Sequence, residues 1–196
     1  MTQGSNGSAG VPVTVFVEYI HKVCLDGGAR ARLRRGVGVH LNHPRSIQSH
    51  RYLAPFTRSG SARNHEVLYA IAANIAASDS KNLGRPRLPL GQALGRSTLR
   101  TAGGNAMAFA TVENRLIVAG RANLGVMLNV HLPKMVGLVT TTGGQVHWDS
   151  LTSDLLAWPY NHHHILRKWM QDFYGVKWDE DKRVYREGKA ALEAAS

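Results

Sequence analysis

His162-His163-His164 is the densest set of metal-capable side chains in the sequence. Consecutive side chains on a helix diverge by about 100°, so three in a row do not converge on one ion. Helical zinc sites place His at i and i+4, as in HExxH, and that pattern is absent. The run reads as the polar start of a helix. His40, His43 and His50 flank Asn42 and Pro44 and faintly resemble an HNH nuclease. That chemistry needs a strand–strand–helix frame, which the surrounding pattern does not supply. Cys24, the single cysteine, has no His and acid at telling spacing and reads as a structural thiol. Gly103-Gly104 and Gly143-Gly144 are isolated pairs, unlike a phosphate-cradling GxxxxGK[ST] loop. Asp149, Asp154 and Asp172 are expected to cap and ion-pair. With no converging catalytic set, the expectation is a binding protein and not an enzyme, with no catalytic residue, no metal site, no cofactor and no small-molecule substrate.

The chemistry that does stand out is cationic. Residues 27–100 carry 13 basic residues against only Glu66 and Asp79, so this one segment holds a charge of +11, equal to the net charge of the whole 196-residue chain. A solvated surface mixes its signs; a concentrated basic region is the footprint of polyanion binding. Its sharpest part is residues 28–36, Gly-Ala-Arg-Ala-Arg-Leu-Arg-Arg-Gly. On a helix, Ala29, Leu33 and Val37 face inward at i, i+4, i+8. Arg30 and Arg34 then share one flank, Arg35 points outward, and Arg32 is the expected internal ion-pair member. Guanidinium forks suit phosphate. A basic loop bearing Arg85 and Arg87, and a more irregular set of Arg96, Arg100, Arg115, Arg121 and Lys134, complete the expected nucleic-acid-binding residues. The alternative for any one arginine is an ion pair with an aspartate across the fold.

These side chains need a helical frame. Hydrophobic residues make up 43% of the sequence, enough for a core, and one cysteine excludes a disulfide scaffold. No apolar run approaches the ~18 residues of a membrane helix, and residues 1–10 are polar, Gly/Ser-rich and expected to be disordered. A cytoplasmic protein with no membrane partner is expected. Helical stripes recur at Val67/Leu68, Ile71 and Ile75, with Asn64 as N-cap; at Phe109, Val112, Leu116 and Ala119; and at Leu124, Leu128, Leu132, Met135 and Val139. Pro133 must kink that third stripe or open a new helix. A fourth stripe, Trp148, Leu151, Leu155 and Trp158, is capped by Asp149 and stopped by Pro159; a fifth runs through Ile165, Leu166, Trp169 and Phe173 to Gly175. Val13–Leu25, Ala29–Val37 and, weakly, Ser46–Phe56 are further helices. Residues 36–45 and 78–91 read as loops. The fold class is all-α, roughly eight helices in one or two packed bundles, spanning 11–176. Residues 177–196 read as a charged extension, partly helical and partly disordered.

The segment Ala29-Arg-Ala-Arg-Leu-Arg-Arg35 resembles the RAxLRR segment of the small subunit of the type I-E CRISPR surveillance complex Cascade, the CasB family. Ala93-Leu-Gly95 with Leu99-Arg100 is similar to that family's central segment. Trp148-Asp-Ser-Leu151, Asp154-Leu-Leu-Ala-Trp158 and Trp169-Met-Gln-Asp-Phe-Tyr174 follow in the order of its C-terminal signature. The resemblance spans roughly residues 13–176. Residues 101–115 depart from it in being less basic, and the tail after Tyr174 has no counterpart. The resemblance implies a non-catalytic subunit present as two copies in a crRNA-guided antiviral complex. Its partners would be the other Cascade subunits, a second copy of itself, crRNA and target DNA, with the chain bracing the complex and holding the displaced strand of an R-loop. Two rivals stand beside it: a stand-alone helical RNA- or DNA-binding protein, and a metal-dependent nuclease built on the histidines.

Overall fold

A computed structural model describes residues 12–58, 60–78, 86–102, 105–179 and 184–187. The helices are α1 (Val13–Val23), α2 (Gly27–Arg34), α3 (Pro44–Ile47), α4 (His50–Thr57), α5 (Ala62–Ala77), α6 (Leu90–Ala102), α7 (Ala106–Gly120), α8 (Leu124–Val126), α9 (Leu132–Thr141) and α10 (Trp148–Phe173). The all-α expectation stands. Ten pieces stand among the described residues where eight were expected: residues 46–56 divide between α3 and α4, the third apolar stripe divides between α8 and α9, the fourth and fifth stripes join in α10, and α6, which begins at the end of the expected 78–91 loop, is a helix that no apolar stripe announced.

The break in that stripe has a chemical cause. Pro133 has no N–H to give the Asn129 carbonyl four residues back. Residues Met127–His131 widen into a π turn, in which the Leu132 N–H bonds to the Met127 carbonyl. Gly38, at φ +69°, packs beside the Asn129 carbonyl, where a Cβ would come within 3.1 Å of that oxygen. Leu128, Leu132, Met135 and Val139 still point into the core.

Helix α5 is the centre. Every residue from Val67 to Ala76 is buried, the pattern of a helix covered on all sides. It is packed by α1, α2, α4, α10 and the π turn. Its N-cap is Ser61 and not the expected Asn64: the Ser61 hydroxyl accepts the Asn64 N–H at 3.2 Å. The cap lies one turn earlier because a helix has four orphan N–H groups to satisfy ahead of its first periodic apolar residue.

α10 is two legs and not one rod. Asn161 leaves helical geometry at φ −130°, ψ 19°. Asp154 accepts Lys168 Nζ at 2.6 and 2.8 Å and Trp169 Nε1 at 2.8 Å. On a straight helix positions 14 apart are about 21 Å distant, so the legs fold back on each other. Trp158 and Trp169 stack between them with ring centroids 5.3 Å apart. This matches the two separate stripes and the stop at Pro159. The N-cap differs from the expected Asp149: the His147 imidazole Nδ1 accepts the Ser150 N–H at 3.2 Å, and Asp149 falls in the first turn.

Two residues of strand decide how α6 meets α10. β1 (Arg87–Leu88) and β2 (Gln145–Val146) pair in parallel, Arg87 with Gln145 and Leu88 with Val146. Each strand leads into a helix, so the bridge sets the starts of α6 and α10 side by side. Gly91 makes the contact possible: a Cβ there would lie 2.1 Å from the Trp169 carbonyl oxygen. After α10, β3 (Val176–Asp179) and β4 (Val184–Glu187) form an antiparallel pair. The tail was expected to be partly helical; here Val-Lys-Trp-Asp and Val-Tyr-Arg-Glu are rich in β-branched and aromatic residues and follow that propensity instead. Residues 1–10 lie outside the described residues, and no helix among the described residues is long and apolar enough to cross a membrane.

Candidate nucleic-acid interface

α2 is short and polar, so it exists by what holds its ends and base. Asp26 caps it, its carboxylate accepting the Ala29 N–H at 2.8 Å. The backbone N–H groups of Ala29 and Gly28 hold that carboxyl below the usual aspartate range. Ala29 and Leu33 are buried against the rest of the fold, α5 foremost, as the inward seam required; Val37 lies beyond the helix end and is half-buried.

The four arginines then take four different jobs. Arg30 turns toward the C-terminus of α5: its Nε donates to the Ala76 carbonyl at 3.0 Å and its Nη2 to the Ser78 carbonyl at 2.5 Å. These are end carbonyls of α5, where the helix dipole is negative. Arg32 donates to the Tyr52 hydroxyl at 2.9 Å. It was expected to sit in an internal ion pair; a neutral phenol took that place, with Asp26 contributing a longer-range attraction. Arg35 is exposed and reaches Gln48 at 3.2 Å. Arg34 is exposed. Arg30, Arg34 and Arg35 line one shallow concavity with Gly27 and Ala31.

The fold extends this surface beyond α2. Arg51 lies 5.2 Å over the ring of Tyr52, the phenol that Arg32 binds, so α4 adds an exposed cation next to the α2 row. Arg51 escaped the sequence reading because it lies on the weakest helical pattern of the chain. On the other side, Arg30 and Arg87 line one pocket with His21, Cys24, Ile75 and Trp148. Burial and then Arg87 push the His21 imidazole below its ordinary range, against the pull of Asp149. Burial pushes the Cys24 thiol up to about 11, against the pull of Arg30, in keeping with a structural role. Arg85 lies outside the described residues.

The remaining cations stand elsewhere. Arg96 on α6 is half-buried, and Arg100 is exposed and reaches the Thr142 carbonyl at 3.5 Å. Arg121, exposed, is the C-cap of α7. Arg115 and Lys134, nineteen positions apart, meet across one groove between α7 and α9; no spacing argument could have joined them. The histidines are dispersed to separate partners. His40 faces Glu66 at 3.4 Å, His43 caps α3, His50 bonds the Tyr69 hydroxyl, and His162 packs against Trp158 and His163. Trp158 and Trp169, both buried, are core residues.

The class so defined is an all-α domain whose short second helix carries a row of arginines on a hydrophobic seam. The family model of "CRISPR-associated protein Cse2" matches residues 29–174, most of the chain and all of that helix from Ala29 onward; the chain belongs to the Cse2 family. This is the family to which the Arg-rich helix and the Trp…Asp-Phe-Tyr signature pointed. A CRISPR-associated protein Cse2 of Thermus thermophilus is 27% identical over 158 residues, 79% of this chain and 83% of its own. A chain of a solved "CRISPR RNA-guided surveillance complex" superposes with a TM-score of 0.69 at 31% identity, covering 83% of this chain and 91% of that one. CasB of M. ruber has the same fold, with a TM-score of 0.64 at 23% identity over 83% of this chain and 91% of its own.

Proposed function

We propose that this chain is a non-catalytic, nucleic-acid-binding subunit of a crRNA-guided antiviral surveillance complex. Guide pairing reads the sequence in such a complex, and protein holds backbones. The subunit braces the assembly together with its other subunits and a second copy of itself, and steadies the R-loop by gripping the displaced strand. The observation that carries this is the α2 surface: Arg34 and Arg35 reach solvent from a helix seated by Ala29 and Leu33, with Arg51 beside them and Arg87 continuing past Arg30. Positively charged side chains on a rigid base, with no base-reading geometry, suit contact with phosphates irrespective of sequence. Arg96, Arg100 and Arg121 are further phosphate contacts in this reading.

Assembling the complex with and without this chain, then footprinting the displaced strand with permanganate, tests it. The expected result is a displaced strand that is more reactive and an R-loop that dissociates faster when the chain is missing. A chain that purifies alone as a nucleic-acid-binding monomer and never joins the complex favours the stand-alone reading. Strand cleavage by the pure chain in Mg²⁺, Mn²⁺ or Zn²⁺ overturns the non-catalytic one.

A further inference from the structure

The groove between α7 and α9 differs in kind from the α2 surface. Its floor is aliphatic: Val118, Met135 and Leu138. Val118, in the last turn of α7, is 54% exposed. Its rim is basic, formed by Arg115, Lys134 and His131. Burial and then Lys134 push the His131 imidazole below its ordinary range, so the standing charges are Arg115 and Lys134. No carboxylate lines the groove among the described residues. The nearest in sequence, Glu113, accepts a hydrogen bond from the Tyr174 hydroxyl and is engaged there.

Surfaces that hold single-stranded nucleic acid pair cations with aromatic platforms, on which bases stack. This groove has cations, and its one ring is the His131 imidazole at the rim, with no Phe, Tyr or Trp among the described residues that line it. An apolar floor that is open at Val118, half-buried at Leu138 and closed beneath by Met135, inside a polar rim, is the anatomy of a protein-docking site. Its wall residues at 131, the end of the π turn, and at 134, 135 and 138 on α9 follow helical spacing and face Arg115 and Val118 on α7. That amphipathic channel accepts a segment bearing apolar anchors on one face. The paired cations select flanking carboxylates.

We infer that the α7–α9 groove docks a protein segment of a neighbouring subunit, one that places apolar side chains on Val118 and Leu138 and carboxylates against Arg115 and Lys134. The inference rests on the reading of this chain as a subunit of a larger complex. It moves Arg115 and Lys134 from the nucleic-acid contacts to a subunit contact.

The test places the photoreactive residue benzoylphenylalanine at position 118 of the full chain, assembles it with the other subunits and crRNA, binds target DNA and irradiates. The expected product resists nuclease and maps to a peptide with Asp or Glu beside apolar residues. A nuclease-sensitive product, or an assembled complex with no crosslink, overturns the docking site and leaves the complex reading standing. An unmodified chain that does not assemble removes both. Two substitutions supply an independent readout. Val118→Asp and Val118→Lys should each lower incorporation into the complex at least about tenfold, with unchanged melting. Neither should change the affinity of the free chain for a dT20 oligonucleotide. Nucleic acid in the groove would instead give opposite signs, Val118→Asp weakening and Val118→Lys strengthening dT20 binding.

Discussion

Arg30 and Arg34 lie one turn apart on α2, yet the structure separates their consequences. The perturbations are Arg30→Ala on one side and the double variant Arg34→Ala/Arg35→Ala on the other. Arg30 satisfies two end carbonyls of α5. A hydrogen bond to a charged group contributes about 1.5–3 kcal/mol. Arg30 is only partly buried, so about 2 kcal/mol for the pair is the reasonable scale. For a domain of this size that lowers Tm by about 4–8 °C. Arg34 and Arg35 are exposed, and their loss should move Tm by no more than a surface substitution does, about 0.5 kcal/mol or less. Their effect belongs to binding. If each neutralises one phosphate of a single strand, the slope of log K against log salt falls by about 1.4. Between about 50 and 200 mM salt, the wild type then loses about sevenfold more affinity than the double variant. Calorimetry gives the first quantity; fluorescence anisotropy with a labelled oligonucleotide over a salt series gives the second. A double variant with unchanged slope and affinity would refute the α2 interface. An Arg30→Ala variant that melts with the wild type would refute its assignment as the brace of α5.

Two further outcomes follow from the packing and from burial. Gly91→Ala should destabilise by at least the about 1–3 kcal/mol typical of overpacking, because the new Cβ would meet the Trp169 carbonyl at 2.1 Å; a melting curve unchanged from wild type would show that α6 and α10 are not in close backbone contact. Cys24, its thiol pushed up to about 11 by burial, is held in the protonated form by the fold. Its thiolate fraction at pH 8 is roughly 100-fold below that of a cysteine at the ordinary value of 9.0. Alkylation by iodoacetamide should therefore be slow at pH 8 and rise about tenfold per pH unit toward 11 in the folded protein, and speed up sharply in urea; rapid labelling at neutral pH would place the thiol in the open.

What the sequence showed and what it hid divide along one line. Apolar periodicity is local, so the stripes at Phe109–Ala119, Trp148–Trp158 and Ile165–Phe173 were readable, as was the seam that seats α2. Contacts made by polar atoms over long sequence distance were not. Arg30 reaches carbonyls 46 and 48 residues away, and carbonyls leave no trace in side-chain identity. Arg32 found a phenol where an acid was expected, because Tyr52 offers an acceptor without a second desolvated charge. β1 and β2 are two residues each, too short for any period to register. Asp149 looked like a cap by residue type alone, but His147, two positions ahead of it, had the ring nitrogen in position. Arg115 and Lys134 looked irregular because their meeting place exists only once two helices lie side by side.

The fold-back of α10 bears on how the protein is made. The two legs meet through pairs 11 to 15 residues apart, such as Trp158 with Trp169 and Asp154 with Lys168, so the hairpin closes a short loop and has little to wait for. Yet it leaves the ribosome after the other described helices, and it packs on α1, α5, α6 and α7. Until it emerges, the faces it covers on those four helices stay open, although α1 packs on α5 and α6 on α7 without it. At about 5–20 residues per second, its 26 residues take roughly 1–5 s to appear. During synthesis the nascent chain therefore waits in a sticky, half-covered state, and that interval ends when a locally closing hairpin arrives to cover it.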